Sequence, residues 1–214
     1  MTATIEPYQF VTLKRISKQL INTYKTVSDD QTIAAIQMMT LDKMDQLFPV
    51  MNDAIKHFSL QLMDKKMTFK QLEFALAEIK QIVMPFTQPS DQAIQGLFKK
   101  VKKLSLPDWE KLDLSEATYI GWQDSATQRK FLITEIEGTL RGVSGVQSSK
   151  GIKNMCAICQ QTEYVSLFLA KTKTAGDGTY TKKGNYICVD SMSCNQQIEQ
   201  KVALNHFFEM TKGK

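Results

Sequence analysis

Side chains that commonly carry catalysis are scarce in this sequence. Of its 214 residues, only four are cysteine and two are histidine, and the ten glycines are scattered. They form neither a loop ending in Gly-Lys-Ser/Thr nor a Gly-x-Gly-x-x-Gly turn, the two patterns with which proteins hold nucleotide phosphates. Neither histidine lies near a Gly-x-Ser-x-Gly turn or a nucleophilic cysteine, which argues against acyl transfer. We therefore expect a binding protein and not an enzyme.

Long apolar runs are missing as well. None approaches the roughly 18 residues that a membrane-spanning helix needs. Residues 1–6 lack the basic stretch and the apolar stretch of a secretory signal. We therefore expect a cytoplasmic protein that makes no contact with a membrane.

What the sequence does contain is two close pairs of cysteines. Cys156 and Cys159 form a C-x2-C pair, and Cys188 and Cys194 form a C-x5-C pair about thirty residues later. Two such pairs are typical of a tetrahedral zinc ion bound by four thiolates. The alternatives are two disulfides, which a reducing cytoplasm disfavours, and a catalytic thiol, which leaves three cysteines unexplained. The pattern favours one structural zinc with no open position for a hydrolytic water.

The order of elements around the cysteines is that of a treble-clef zinc finger, over about residues 150–214. A C-x2-C turn comes first, then a hairpin that ends at Cys188, and then a helix that carries Cys194. Gly176-Asp177-Gly178 is the predicted hairpin turn. We expect Asp190 and Ser191 to cap the helix and the helix to continue to Val202. Three nearby lysines are expected to offset the negative charge of the thiolates: Lys153, Lys182 and Lys183.

Residues 1–84 are predicted to form an antiparallel helical bundle. Apolar residues recur at three- and four-residue steps in four segments. Ser28-Asp29-Asp30 and Thr68 are start signals for the second and fourth helices, and Pro49 is expected in the first turn of the third. Short connections imply antiparallel neighbours.

A second domain, of class α/β, is predicted over residues 85–214, so that the chain as a whole is an α+β protein of two domains. Pro85 and Pro89 separate the domains, and a helix capped at Ser90 or Asp91 is expected to continue to Leu104. Its lysines should form a solvated face, with RNA contact as the alternative: Lys99, Lys100, Lys102 and Lys103. Strands are predicted over residues 117–122, 130–136, 140–146, 165–170 and 179–188.

A set of short motifs in the C-terminal sequence is specific enough to indicate a protein family. The motifs are Phe98-Lys99-Lys100-Val101-Lys102-Lys103, Tyr119-Ile120-Gly121-Trp122, Arg129-Lys130, Val165-Ser166-Leu167-Phe168-Leu169, Lys171-Thr172-Lys173, Gly178-Thr179-Tyr180, Lys182-Lys183-Gly184, Tyr186-Ile187-Cys188, Asp190-Ser191 and Cys194-Asn195. Through these motifs the sequence resembles the FusB-type fusidic acid resistance proteins, also called elongation factor G-binding proteins. The resemblance covers nearly the whole chain and is strongest from about residue 94 onward.

The resemblance implies a function and a partner. Such proteins pair a helical bundle with a treble-clef zinc domain, bind elongation factor G chiefly through the zinc domain, and free the factor from ribosomes on which fusidic acid has locked it. The drug is left intact, so the implied activity is target protection by a monomer that reaches the ribosome indirectly. A zinc-finger protein that binds RNA or the ribosome directly is the alternative, since residues 85–214 carry 17 basic and 13 acidic side chains.

The resemblance also implies contact residues on the zinc-hairpin face. Lys183, Tyr186 and Phe207 match family contact positions, and Met155 stands where the relatives carry an aromatic residue. Tyr186 and Phe207 have core packing as their alternative role. Gln128, before the Arg129-Lys130 motif, stands where the relatives have asparagine.

Overall fold

The computed structural model describes residues 5–124, 126–174 and 180–212. The chain divides into two compact units, Met1–Pro85 and Phe86–Lys214, one residue away from the predicted boundary. Within the described residues, no helix combines the length and the apolar character that crossing a membrane requires. The hairpin turn predicted at Gly176-Asp177-Gly178 lies outside the described residues.

The first unit is the predicted helical bundle. Its core is one continuous cluster of buried apolar side chains drawn from all four helices, and a short bridge between Ile5 and Val83 joins its two ends. Thr68 and Gln71 form a reciprocal capping box at the start of the fourth helix. The helices are α1 (Pro7–Thr26), α2 (Asp30–Leu47), α3 (Asp53–Leu62) and α4 (Phe69–Lys80).

The start of α3 differs from the prediction. Pro49 lies in the connection, and the helix begins at Asp53 with Asn52 as its cap. The side-chain oxygen of Asn52 accepts a hydrogen bond from the backbone N–H of Ile55 at 2.9 Å. Asparagine can accept this hydrogen bond with its side-chain oxygen, whereas the side chain of proline has no acceptor. Asn52 therefore determines where the helix starts.

The first helix of the second unit, α5 (Asp91–Leu97), is shorter than predicted. Ser90 caps it as expected, but the chain leaves the helix at Phe98, and the four lysines lie beyond it. Two features of the sequence oppose a longer helix. Gly96 weakens the last turn, and lysines spaced three and four residues apart would repel one another on one helical face.

A six-stranded antiparallel sheet forms the rest of this unit. The strands are β1 (Ile120–Asp124), β2 (Arg129–Ile136), β3 (Thr139–Gln147), β4 (Ile152–Met155), β5 (Thr162–Thr174) and β6 (Tyr180–Cys188). The order is β1-β2-β3-β5-β4, and β6 pairs with the other side of β5. The predicted turn between β2 and β3 is present, with positive φ at both Glu137 and Gly138. Strand β4 was not predicted, and the predicted strand at residue 117 begins only at Ile120.

Two helices complete the unit, α6 (Ser191–Asn195) and α7 (Val202–Thr211). The prediction of one helix from Ser191 to Val202 is wrong. The chain leaves the helix after Asn195 and turns so that Ile198 becomes almost fully buried. Burial of this apolar side chain favours the break over a continuous helix.

Candidate functional site

The four cysteine sulfurs converge at one point. Their Sγ atoms all lie within 4.8 Å of one another. Cys156 and Cys194 are 3.8 Å apart, as are Cys159 and Cys188. A tetrahedron with Zn–S bonds of about 2.3 Å has S–S edges of about 3.8 Å, whereas a disulfide bond measures about 2.05 Å. All four thiols are free and buried. The arrangement therefore fits one structural zinc ion, as predicted, and excludes disulfides.

Backbone hydrogen bonds position the first pair of sulfurs. The N–H of Ile158 donates to Sγ of Cys156 at 3.3 Å, and the N–H of Gln160 donates to the carbonyl oxygen of Cys156 at 3.0 Å. Gln160 has a φ of 60°, which closes the turn. The N–H of Ala157 donates to the carbonyl oxygen of Tyr186 at 2.8 Å. This last bond fixes the zinc-binding turn (residues 156–160) against β6.

The second pair of sulfurs is held by β6 and α6. Cys188 ends the strand, and the Asp190 carboxylate accepts hydrogen bonds from the backbone N–H groups of Met192 and Ser193 at 3.4 and 2.7 Å. These bonds hold the pKa of Asp190 below its usual value against the opposing effect of burial, which is the largest single influence on it. The predicted cap is thus confirmed, and it places Cys194 in the first turns of the helix.

Four thiols this close cannot all ionise without a cation. Hydrogen bonds from Cys159, Cys188 and Cys194 lower the pKa of Cys156. Interaction with Cys156 in turn raises the pKa of Cys188 and of Cys194, and burial adds to both increases. Thiolates therefore form more readily at Cys156 and at Cys159, whose pKa, against the opposing interaction with Cys156, is also lowered by hydrogen bonds from Cys188 and Cys194. Cys188 and Cys194, in contrast, resist losing a proton. A bound divalent cation reverses this preference because it stabilises every thiolate it contacts.

Lys130 is the buried cation of this site. Its side chain is 2% exposed, and its Nζ donates to the carbonyl oxygens of Cys188 at 3.1 Å and Val189 at 2.6 Å. Burial lowers the pKa of Lys130 to about 8, while the nearby thiolates and Asp190 raise it. Its positive charge opposes the net charge of −2 on a zinc ion with four thiolates.

The three lysines predicted for that role are not buried with the sulfurs. Lys153, Lys182 and Lys183 are all exposed, so water screens their charges. The sequence reasoning missed Lys130 because a lysine is expected at the surface. Its burial follows from its place in β2, where residues 130–134 are all buried, and this is visible only once the sheet is known.

Asn195 joins α6 to the segment that precedes β1. Its Oδ1 accepts from the backbone N–H groups of Thr118 at 2.7 Å and Tyr119 at 3.2 Å. Its Nδ2 donates to the carbonyl oxygens of Tyr119 and Ser191, both at 2.9 Å. Asn195 has no exposed surface, so these four bonds fix the residue that follows Cys194.

The predicted contact residues fall into two groups. Met155 is 58% exposed, Lys183 is exposed and Tyr186 is half-buried. Phe207 is 1% exposed, and its ring lies 5.6 Å from that of Phe168. A side chain enclosed in this way offers no surface to a partner, so direct contact by Phe207 is corrected to core packing beneath the sheet.

Lys183 and Tyr186 lie on opposite faces of β6. Side chains alternate along a strand, so two residues three apart point in opposite directions. Tyr186 pairs directly with Leu167 of β5, a residue that is 43% exposed. The sequence reasoning did not select Leu167, because an apolar residue inside an apolar strand is expected in the core.

Comparisons with known proteins agree with this geometry. The family model "Elongation factor G-binding protein, N-terminal" matches residues 4–87. The family model "FBP C-terminal treble-clef zinc-finger" matches residues 94–212. A solved structure described as "Structure of the fusidic acid resistance protein FusC" superposes with a TM-score of 0.86 at 35% sequence identity, covering 99% of both chains. A comparison with curated proteins gave no match. With a helical N-terminal unit and four convergent cysteines in the second unit, the chain belongs to the elongation factor G-binding protein family with a C-terminal treble-clef zinc finger.

Proposed function

We propose that this chain binds elongation factor G and promotes its release from ribosomes stalled by fusidic acid. Membership of the elongation factor G-binding protein family carries the proposal. The similarity to a fusidic acid resistance protein along 99% of the chain supports the link to the drug. The protein acts in the cytoplasm, as a monomer.

The proposed mechanism is binding without catalysis. A zinc ion held by Cys156, Cys159, Cys188 and Cys194 has no position left for water or substrate. A binding protein shifts an equilibrium only by preferring one of the two states. The chain must therefore bind the released conformation of the factor more tightly than the conformation that the drug holds on the ribosome.

The proposed contact surface is the exposed part of the zinc hairpin. Met155 and Lys183 supply an apolar group and a cation, and the pair of Tyr186 with Leu167 supplies apolar area on the other face of β6. In the described structure β6 pairs with β5 alone, and the zinc-binding turn bonds to its outer edge at Tyr186, so the part of the edge around the exposed Lys183 is open to a partner. Exposed aromatic and apolar groups on a rigid support are typical of interface hot spots.

A binding and release experiment tests the proposal. Elongation factor G locked on ribosomes with GDP and fusidic acid is sedimented with and without the zinc-loaded protein. We expect the factor to move to the supernatant and to be retained by the tagged protein at moderate salt. A factor that binds yet stays with the ribosomes would refute the release step, and absence of any complex would refute the function as a whole.

Two single variants locate the surface. Lys183→Ala and Tyr186→Ala should each weaken binding at least about tenfold if these residues are hot spots. The control is Lys18→Ala, an exposed lysine of α1, which should bind as tightly as the unaltered chain. Unchanged binding in both hairpin variants would move the contact surface away from β6.

A further inference from the structure

Four lysines are concentrated in a short non-helical segment after α5, which we name the lysine loop (residues 99–103). Lys99, Lys100, Lys102 and Lys103 are all exposed. None of the four forms a hydrogen bond or an ion pair with another residue in the described part of the chain. Four positive charges within five residues repel one another, so the loop favours an anionic partner.

Buried aromatic residues hold the start of this loop in place. Phe98 is 6% exposed, and its ring packs edge-on against Trp122 at 6.0 Å and Phe131 at 5.1 Å. The N–H of Val101 donates to the carbonyl oxygen of Phe98 at 2.8 Å. The backbone is thereby fixed immediately before the first lysine and again in the middle of the loop.

The end of the loop is fixed in the same way. Leu104 packs against the core that contains Phe98, Trp122 and Phe131, which we name the aromatic cluster. The indole N–H of Trp122 donates to the carbonyl oxygen of Ser105 at 2.7 Å. The nearest downstream carboxylate, that of Asp108, is bound by Lys111 at 2.6 Å. The loop thus presents its four cations from a fixed backbone, and the first acidic residue after it is already paired.

We infer that the lysine loop binds the phosphate backbone of a nucleic-acid duplex, of RNA or of DNA. The loop offers charge and almost no apolar surface, because Phe98 is buried and Val101 and Leu104 pack against the core. Protein interfaces need desolvated apolar anchors, and lysine is depleted from their centres. Phosphate contacts by lysine, in contrast, suffice for binding to nucleic acid.

The same geometry specifies the kind of contact with the nucleic acid. The rings of Phe98 and Trp122 are engaged in the aromatic cluster and are not available to stack on unpaired bases. Contacts of lysine with phosphate fix position and carry no sequence information. The loop therefore binds a duplex through its backbone phosphates and without regard to sequence, and this inference does not rest on the proposed binding of elongation factor G.

The test is the salt dependence of binding to a fluorescent 16-base-pair duplex, with RNA and DNA in separate arms, measured by anisotropy with the full zinc-loaded chain between 50 and 200 mM salt. Binding to either duplex supports the inference, the tighter arm identifies the nucleic acid, and binding to neither overturns it. Replacing all four loop lysines with glutamine should weaken binding at least tenfold at 50 mM salt. It should also reduce the slope of log K against log salt by about 3, since each phosphate contact contributes about 0.7–0.9. Replacing all four with arginine should retain the slope.

The matched control removes the same charge from scattered positions, by glutamine at Lys18, Lys66, Lys70 and Lys150, all of which are exposed. We expect this control to keep the slope within about 1 of the unaltered chain. An equal loss in both quadruple variants would overturn the inference, because the effect would then be one of net charge. Tighter binding of polyglutamate than of either duplex at equal charge would also overturn it, in favour of an acidic protein partner. Retention of elongation factor G by the loop variant separates this inference from the proposed function.

Discussion

The ammonium group of Lys130 lies 3.1 Å from the carbonyl oxygen of the zinc ligand Cys188. It also donates to the next carbonyl oxygen, that of Val189. A cation from β2 therefore fixes the end of β6, where the third sulfur must point at the metal. The affinity of a site for its metal depends strongly on buried side chains that hold the ligands in this way.

Replacing Lys130 with methionine should lower zinc affinity about 10–100-fold, since two carbonyl oxygens lose their donor and the zinc–thiolate cluster loses its buried counter-charge. Competition with a chromophoric chelator measures the zinc affinity of each variant. Lys153→Met is the control, because Lys153 is exposed in the same unit. Equal zinc affinity in both variants would show that Lys130 does not support the metal.

Removing the zinc, or one ligand by Cys156→Ser, should unfold the second unit and leave the helical unit intact. The sulfurs join the zinc-binding turn, β6 and α6, and the folding energy of such domains depends on the metal. Circular dichroism measures the helix content that remains, and hydrogen exchange reports the unfolding of each unit separately. Lower pH should act in the same direction, because protons compete with zinc for thiols such as Cys194, whose pKa is raised. A second unit that melts unchanged without zinc would contradict this prediction.

Phe207→Ala should destabilise the second unit by about 3–5 kcal/mol, because it leaves a cavity beside Phe168. Lys183→Ala, at an exposed position, should change stability by less than about 0.5 kcal/mol. Chemical denaturation of the zinc-loaded chain distinguishes the two. Any loss of partner binding in Phe207→Ala should then follow the loss of fold, and a stable variant that no longer binds would return Phe207 to the contact surface.

Asn195→Asp should destabilise the second unit by about 2–4 kcal/mol. The change keeps the shape of the side chain but replaces the donor to the carbonyl oxygens of Tyr119 and Ser191 with an acceptor, so that both buried oxygens lose this donor and face a carboxylate oxygen instead. Asn185→Asp, in the exposed part of β6, should be nearly neutral. Thermal melting of each variant is monitored by the release of zinc. Similar melting temperatures for the two variants would refute the role of Asn195.

Gln128→Gly should stabilise the second unit by up to about 1 kcal/mol. Gln128 has a φ of 52°, a left-handed conformation that costs a residue with a Cβ atom and costs glycine little. Thr127→Gly, at a neighbouring exposed position without positive φ, should instead be destabilising because it only adds freedom to the unfolded chain. The asparagine found in the relatives should fall between glutamine and glycine. A destabilising Gln128→Gly would show that the amide side chain has a role that outweighs the strain.

The features predicted well from the sequence were those that depend on local chemistry. Four cysteines in two close pairs permitted few arrangements, and the caps at Asp29, Thr68 and Asp190 depend on residues three or fewer positions away. The Glu137-Gly138 turn likewise follows from the preference of glycine for positive φ.

The features predicted poorly depend on distant parts of the chain. Strand β4 has four residues, all exposed, and shows no alternation because it exists through pairing with β5. Lys130 has the sequence character of a surface residue and is buried only because the carbonyl oxygens of Cys188 and Val189 converge on it. Gly96 and repulsion between the lysines weaken the helix predicted through the lysine loop, and Phe98 packs against Trp122 and Phe131. This last contact is tertiary, and local periodicity cannot report it.

Because the N–H of Ala157 donates to the carbonyl oxygen of Tyr186, the proposed recognition of the partner would depend on the supply of metal. The turn that holds two of the sulfurs also occupies part of the outer edge of β6, the strand that we propose meets the elongation factor. Oxidation of Cys156 and Cys159, or zinc starvation, would release that turn and leave the edge at Tyr186 unsupported. Antibiotic protection by a protein built in this way would fail under oxidative or zinc-limiting stress before its helical unit lost any structure.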